Sequence, residues 1–370
     1  MKRICVSVLA STLALAGCGG GGSKSNKVTG TSASEPNFRV YATSGAGNID
    51  GFSADGTTGK LSPLTGSPYP LAFLAQRFQV SPDNKFVVSN GIGFSAIVTA
   101  SLFGTAVYSI DPASGALASV PNGLENNGAV VDPQGRFVFD SLVTDAGAGA
   151  PLNVSGIFVH QVTAGPSFPP VPGSPFSTSQ NPFATNPAGT TLYACAPFPA
   201  DVEAFQISSD GSLTLLNPNV AACTTEPTLE PPLIFRPDGK FVYNSPGDGV
   251  WLYSVDAAGL FHSLGNILAT GSMVGIDPSG KFAYVPLCSI AAGCASGTVY
   301  SIDPNSGMLS NPVATPGFNA IAFSPQGHFA FTVNNTSTVS IYSVDPNNGG
   351  LSLIGATSPS GPIGFVFTAK

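Results

Sequence analysis

Charge is scarce in this 370-residue chain: 9% of its residues are Asp, Glu, Lys or Arg, with 13 basic against 20 acidic side chains and a formal net charge of -7. Nucleic acid is thereby excluded as a partner, because binding phosphate requires clustered Lys and Arg. Beyond the first residues no apolar run reaches the roughly 20 residues that a helical membrane span requires. There is no GxSxG elbow, no HExxH pair, no Walker loop and no GxGxxG leading into a helix. These absences remove the common hydrolase, zinc, nucleotide and dinucleotide arrangements, and no cofactor is expected. Acidic turn residues such as Asp111, Asp303 and Asp345 stand singly. Single carboxylates cannot supply the six or more oxygens that calcium takes, so no metal is expected either.

What is present begins with Lys2 and Arg3 and an apolar run from Ile4 to Ala16, too short to cross a bilayer comfortably and readable as an export signal over residues 1–17. Its end, Leu15-Ala16-Gly17-Cys18, resembles the lipobox of bacterial lipoproteins, which implies that Cys18 carries lipid and anchors the chain to a membrane. Residues 18–34 are mostly Gly, Ser, Lys, Asn and Thr and form a flexible tether. Gly19 in place of Asp after the cysteine implies the outer membrane, with the body facing the periplasm or the surface. Four cysteines remain, Cys195, Cys223, Cys288 and Cys294. In an exported protein they suggest two disulfides, Cys288 with Cys294 and hence Cys195 with Cys223.

The whole chain has 44 Gly and 33 Pro, and residues 35–370 join them to frequent β-formers, as an all-β protein with many tight turns requires. A segment of apolar strand, Pro-Gly turn and second apolar strand recurs with its prolines at 82, 133, 187, 237, 278 and 325. Between these copies lies a second unit, such as GVWLYSVDAAGLFHSL from Gly249 or GTVYSIDPNSGMLSNP from Gly297. Alternating apolar and polar residues around a Gly turn predict a hairpin. Each repeat of about 50 residues thus makes a four-stranded blade, the period of a β-propeller. The chain ends on Ile363–Phe367, an innermost strand without its second strand, and Phe38–Thr43 supplies the missing one. Seven blades follow, with the ring closed by pairing the two ends.

The pattern YSIDPxSGxL followed by IAFSPxGxF resembles the lactonase family of seven-bladed propellers, named for 6-phosphogluconolactonase and similar to carboxymuconate cyclase. The resemblance runs from Phe38 to Lys370. It implies a central channel as the ligand site and a lactone-opening reaction. Enzymes of this family tend to place His and Arg just before innermost strands. Here Arg77 stands in such a position, whereas His160 is read into a third strand, His262 into an outer strand and His328 into a turn on the opposite face.

On the channel face, formed by loops that leave second strands and enter innermost ones, the candidates are Arg77, Glu125, Asn127, Asn181, Glu226 and Glu230. Lactone opening needs a base for water, which Glu125 or Glu230 would supply, and a group to hold the oxyanion, which Arg77 would supply. Asn127, Asn181 and Glu226 would contact ligand. The long apolar loop from Gly91 to Gly104 and the Gly-rich loop from Leu142 to Gly156 also lie there, and Phe94 and Phe103 would mark a partner site. The expected role is a binding scaffold at the cell envelope for a protein, peptide or glycan, with a lactonase-like hydrolase as the alternative.

Overall fold

The computed structural model describes residues 34–44, 47–71, 74–94, 101–120, 124, 127–144, 153–163, 167–178, 181–195, 202–217, 233–245, 249–271, 275–289, 293–333, 338–359, 361 and 363–370. Among them there is no helix; every regular element is a strand. Seven antiparallel blades form a ring, the predicted β-propeller.

Blade I joins β1 (Phe38–Ser44), β2 (Asn48–Ala54), β3 (Leu61–Pro63) and β4 (Tyr69–Pro70) to the last strand of the chain. Blade II is β5 (Leu74–Val80), β6 (Phe86–Phe94), β7 (Ser101–Ile110) and β8 (Leu117–Ser119), and blade III is β9 (Asn127–Val131), β10 (Phe137–Thr144) and β11 (Asn153–Gln161). Blade IV runs through β12 (Asn181–Thr185), β13 (Thr191–Cys195), β14 (Val202–Ile207) and β15 (Leu213–Asn217). Blade V contains β16 (Leu233–Phe235), β17 (Phe241–Asn244), β18 (Val250–Val255) and β19 (Phe261–Leu268). Blade VI contains β20 (Gly275–Ile276), β21 (Phe282–Ser289), β22 (Gly293–Ile302) and β23 (Leu309–Pro316). Blade VII contains β24 (Ala320–Phe323), β25 (Phe329–Val333), β26 (Val339–Val344) and β27 (Leu351–Thr357), and β28 (Ile363–Ala369) is the innermost strand of blade I. As expected, β28 pairs antiparallel with β1, Tyr41 opposite Phe367.

The core is divided among the blade junctions rather than gathered at a centre. Seven buried clusters each draw on two consecutive blades, for example Tyr193 and Val202 of blade IV with Leu233 and Val242 of blade V. Burial explains the residue pattern: β17 is buried along its whole length because blades pack on both its faces, whereas outer strand β27 is mostly exposed. Apolar residues on both faces of second strands are what face-to-face packing of sheets demands.

One contact repeats around the ring. Tyr41, Tyr193, Tyr243 and Tyr284, each on a second strand, donate their hydroxyls to the carbonyls of Gly115, Gly259, Gly307 and Gly349 in the turn before the outer strand of the next blade, at 2.6–2.8 Å. Those turns must approach closely. Gly307 has φ of 71°, and a Cβ there would lie 2.8 Å from the Phe241 ring, so glycine is required for both conformation and space. Tyr243→Phe leaves the Gly307 carbonyl buried without its donor and is expected to lower the unfolding free energy by about 1–3 kcal/mol, read as a shifted urea midpoint with an unchanged slope.

Candidate functional site

The Pro-Gly turns form one face of the ring. Gly239 packs against Pro187, Gly280 against Pro237 and Gly327 against Pro278, each turn resting on the preceding blade's turn. Three arginines of this face are engaged: Arg39 bonds the carbonyls of Lys370 and Pro112, Arg236 those of Gly280 and Pro304, and Arg136 pairs with buried Asp132 at 2.7 Å. The channel mouth on this side is a cavity of about 430 Å³ lined by Val80, Val130, Val131, Leu233 and Phe235. It is chemically quiet, because its carboxylate, Asp132, is already neutralised by Arg136.

The opposite, channel face differs in its backbone. In blades I to IV the innermost strand carries an extra residue near its channel-face end: the registers slip between Ala42 and Ser44 against β28, between Ala75 and Arg77, between Phe139 and Ser141 against β9, and between Pro182 and Ala184. Over the described residues, innermost strands β16, β20 and β24 of blades V to VII pair without such a slip. Bulges re-aim side chains and collect beside functional sites. Gly128, with φ of 71°, provides the left-handed residue of the β9 bulge.

Polar side chains brace these bulges. Asn90, buried in the middle of β6, donates to the Ala129 carbonyl at 2.8 Å and accepts from the Ala129 amide at 2.9 Å, while Thr105 donates to the same Oδ1 at 3.1 Å. Thr43 Oγ1 accepts from the Phe365 amide at 3.0 Å. Ser141, fully buried, donates to Asn181 Oδ1 at 2.6 Å and links blade III to the innermost strand of blade IV. Holding the oxygen of Asn181 in this way reserves its amide nitrogen for donation.

The predicted residues fall as follows. Arg77 lies within β5, opposite Asn90, rather than ahead of the strand, because the bulge lets pairing extend back to Leu74. Asn127 and Asn181 likewise open β9 and β12, and β9 packs beside β12. Arg77, Asn127 and Asn181 are thus brought onto the innermost strands of three successive blades. Phe94 ends β6 opposite Ser101, and Phe103 of β7 stands opposite Ile92. Cys18, Glu125, Cys223, Glu226 and Glu230 lie outside the described residues. The register sets Cys288 opposite Cys294 across β21 and β22, and Cys195 closes β13 opposite Asn181. Among the described residues no group of three His, Cys, Asp or Glu is placed to hold a metal ion.

Sequence reasoning missed one pair. His160 of β11 is not idle in its strand: Nε2 faces Oδ1 of fully buried Asp140 at 3.1 Å and Nδ1 faces the Phe168 carbonyl at 2.9 Å. The two residues are twenty apart in the chain. Only the β10–β11 register, which puts His160 opposite Val138 and Phe158 opposite Asp140, makes them diagonal neighbours.

No protein-family model matches the chain, and no curated protein matches it in sequence. Solved structures do match in shape. The periplasmic gluconolactonase of Pseudomonas aeruginosa superposes with a TM-score of 0.64 at 17% identity, over 90% of this chain and 99% of that one. A 6-phosphogluconolactonase-like protein of Bacteroides fragilis gives 0.62 at 18% identity over 90% and 98%, and a protein from Lactobacillus plantarum 0.63 at 16% identity over 90% and 100%. In fold, the chain is a seven-bladed propeller of the 6-phosphogluconolactonase-like form.

Proposed function

We propose that this protein is an exported hydrolase that opens an uncharged sugar lactone or a related lactone at the channel face of blades I to IV. The observation that carries this reading is the likeness in shape, over the full ring, to lactonase-like propellers that include a periplasmic gluconolactonase. The bulged innermost strands at Arg77, Asn127 and Asn181 support it as the place. An uncharged substrate fits the sparse cations, since a phosphorylated one would need several basic groups together.

In this reading Glu125 or Glu230 takes a proton from water, and the oxygen attacks the lactone carbonyl carbon. Arg77 and the Asn181 amide stabilise the oxyanion. Collapse breaks the ring ester bond, and the departing ring oxygen receives the proton held by the carboxyl group, giving the open hydroxy acid. The test is hydrolysis of a panel of sugar and aliphatic lactones by the body from Ser34 onward, compared with Glu125→Gln and Glu230→Gln. No lactone opened above the spontaneous rate would return the binding scaffold. That second reading is favoured by the long β6–β7 hairpin, which carries Phe94 and Phe103 to its end.

Export and anchoring belong to the same proposal. Lipid on Cys18 would hold the body at the envelope, and the four remaining cysteines would close two disulfides, a reading that the opposed positions of Cys288 and Cys294 support. Radiolabelled fatty acid is expected to follow the wild-type chain and to be absent from Cys18→Ser, with the variant released from the membrane fraction.

A further inference from the structure

Blade III is built unlike its neighbours. Where other blades have a regular outer strand, it has the segment Ser167–Phe176, SFPPVPGSPF, joined to β11 by isolated bridges at Ile157–Phe176 and His160–Pro170. Pro169, Pro170, Pro172 and Pro175 have no amide proton to donate, so a continuous ladder is impossible there. The backbone bonds that remain include Gln161 to Pro169, Val171 to Val159 and the reciprocal pair of Ile157 and Phe176. Phe168 in the same segment packs edge-on against Phe86 of blade II at 5.3 Å. This edge therefore contributes to the seam between blades II and III.

His160 is the penultimate residue of β11, opposite Pro170 of that edge. A neutral imidazole has one N–H and one lone pair, and can satisfy only one of two acceptors. Here both ring nitrogens face acceptors, the Asp140 carboxylate and the Phe168 carbonyl. With Asp140 ionised, both bonds form together only when the ring carries two protons. We propose that His160 is an imidazolium rivet: its charge, shared between Asp140 and the Phe168 carbonyl, fastens the proline-rich edge of blade III, and raising the pH withdraws the rivet and loosens that edge.

The charged group acting on the ring is Asp140 from β10; the segment packed on the other side offers the Phe168 carbonyl, and β11 itself offers the face of Phe158. Burial opposes the charged ring, but the hydrogen bond and charge of Asp140, with help from the Phe168 carbonyl, outweigh it and lift His160 above the free imidazole value. The sign follows from linkage. A group whose folded value is raised contributes its full stability below the free value of 6.5 and loses it as pH rises through the folded value.

The chain has three histidines, so three imidazole Cε1–H signals are expected by NMR, each assignable by replacing its residue with Gln. In the wild-type body, the His160 signal should titrate with a midpoint above 6.5. Amide exchange at Ile157, Gln161, Val171 and Phe176, corrected for the intrinsic pH effect, should accelerate over the same interval by about tenfold per unit that the value is raised. Asp140→Asn should lower the His160 midpoint, since burial is then opposed by the Phe168 carbonyl alone. A wild-type midpoint at or below 6.5 would overturn the proposal. So would exchange at these four amides that does not follow the titration, a reading taken on the wild-type body alone.

Discussion

Phe367→Ala is expected to remove about 3–5 kcal/mol of unfolding free energy, measurable as a lowered midpoint in chemical denaturation. The ring of Phe367 stacks on Tyr41 at 5.1 Å and on Phe78 at 4.8 Å, so it touches the second strand of its own blade and the innermost strand of the next. Truncation leaves a cavity in the cluster that joins blades I and II and weakens the pairing of β28 with β1. A matched change on an outer strand, Leu353→Ala, should stay within about 0.5 kcal/mol of wild type because that side chain is 64% exposed. Equal effects from the two changes would show that closing the ring contributes nothing special.

Replacing the general base should have the larger kinetic effect. Whichever of Glu125→Gln and Glu230→Gln removes the base is expected to lower kcat for lactone opening by about 10²–10⁴-fold, and the other to leave it near wild type. Arg77→Ala removes oxyanion stabilisation and should cost about 10²–10³-fold, again in kcat more than in KM, because the interaction strengthens as negative charge develops. The thermal midpoints of the two glutamate variants should match the wild type, which separates lost chemistry from lost fold. Wild-type rates in all three variants of an active protein would place the site elsewhere in the ring.

Much of the architecture was legible because the repeat is local: a strand, a Pro-Gly turn and a second strand declare themselves within a dozen residues, as at Leu233–Asn244. Closure was legible too, since Ile363–Phe367 lacks a partner that Phe38–Thr43 resembles. The bulges were not, because a register slip depends on which residue across the ladder is skipped, and nothing in LAQRFQV announces that Arg77 lies inside a strand. The Asp140–His160 pair escaped for the same reason: diagonal neighbours on adjacent strands have no fixed spacing in sequence. Blade III's outer edge was hidden by its prolines, which replace a strand pattern with a few isolated bridges. The turn glycines were legible as turns, but not the tyrosines that reach them from the preceding blade.

The marriage of the first strand to the last also governs when folding can finish. Arg39 and Lys370 are 331 residues apart along the chain, and β1 cannot acquire its inner partner until β28 exists. Contacts of such long range make for slow, late-completing assembly. A chain threaded outward from its N-terminus would therefore keep β1 with an open edge throughout transit, exposed to mispairing with other strands. The final eight residues act as a timer: the ring becomes a closed object only once they have emerged.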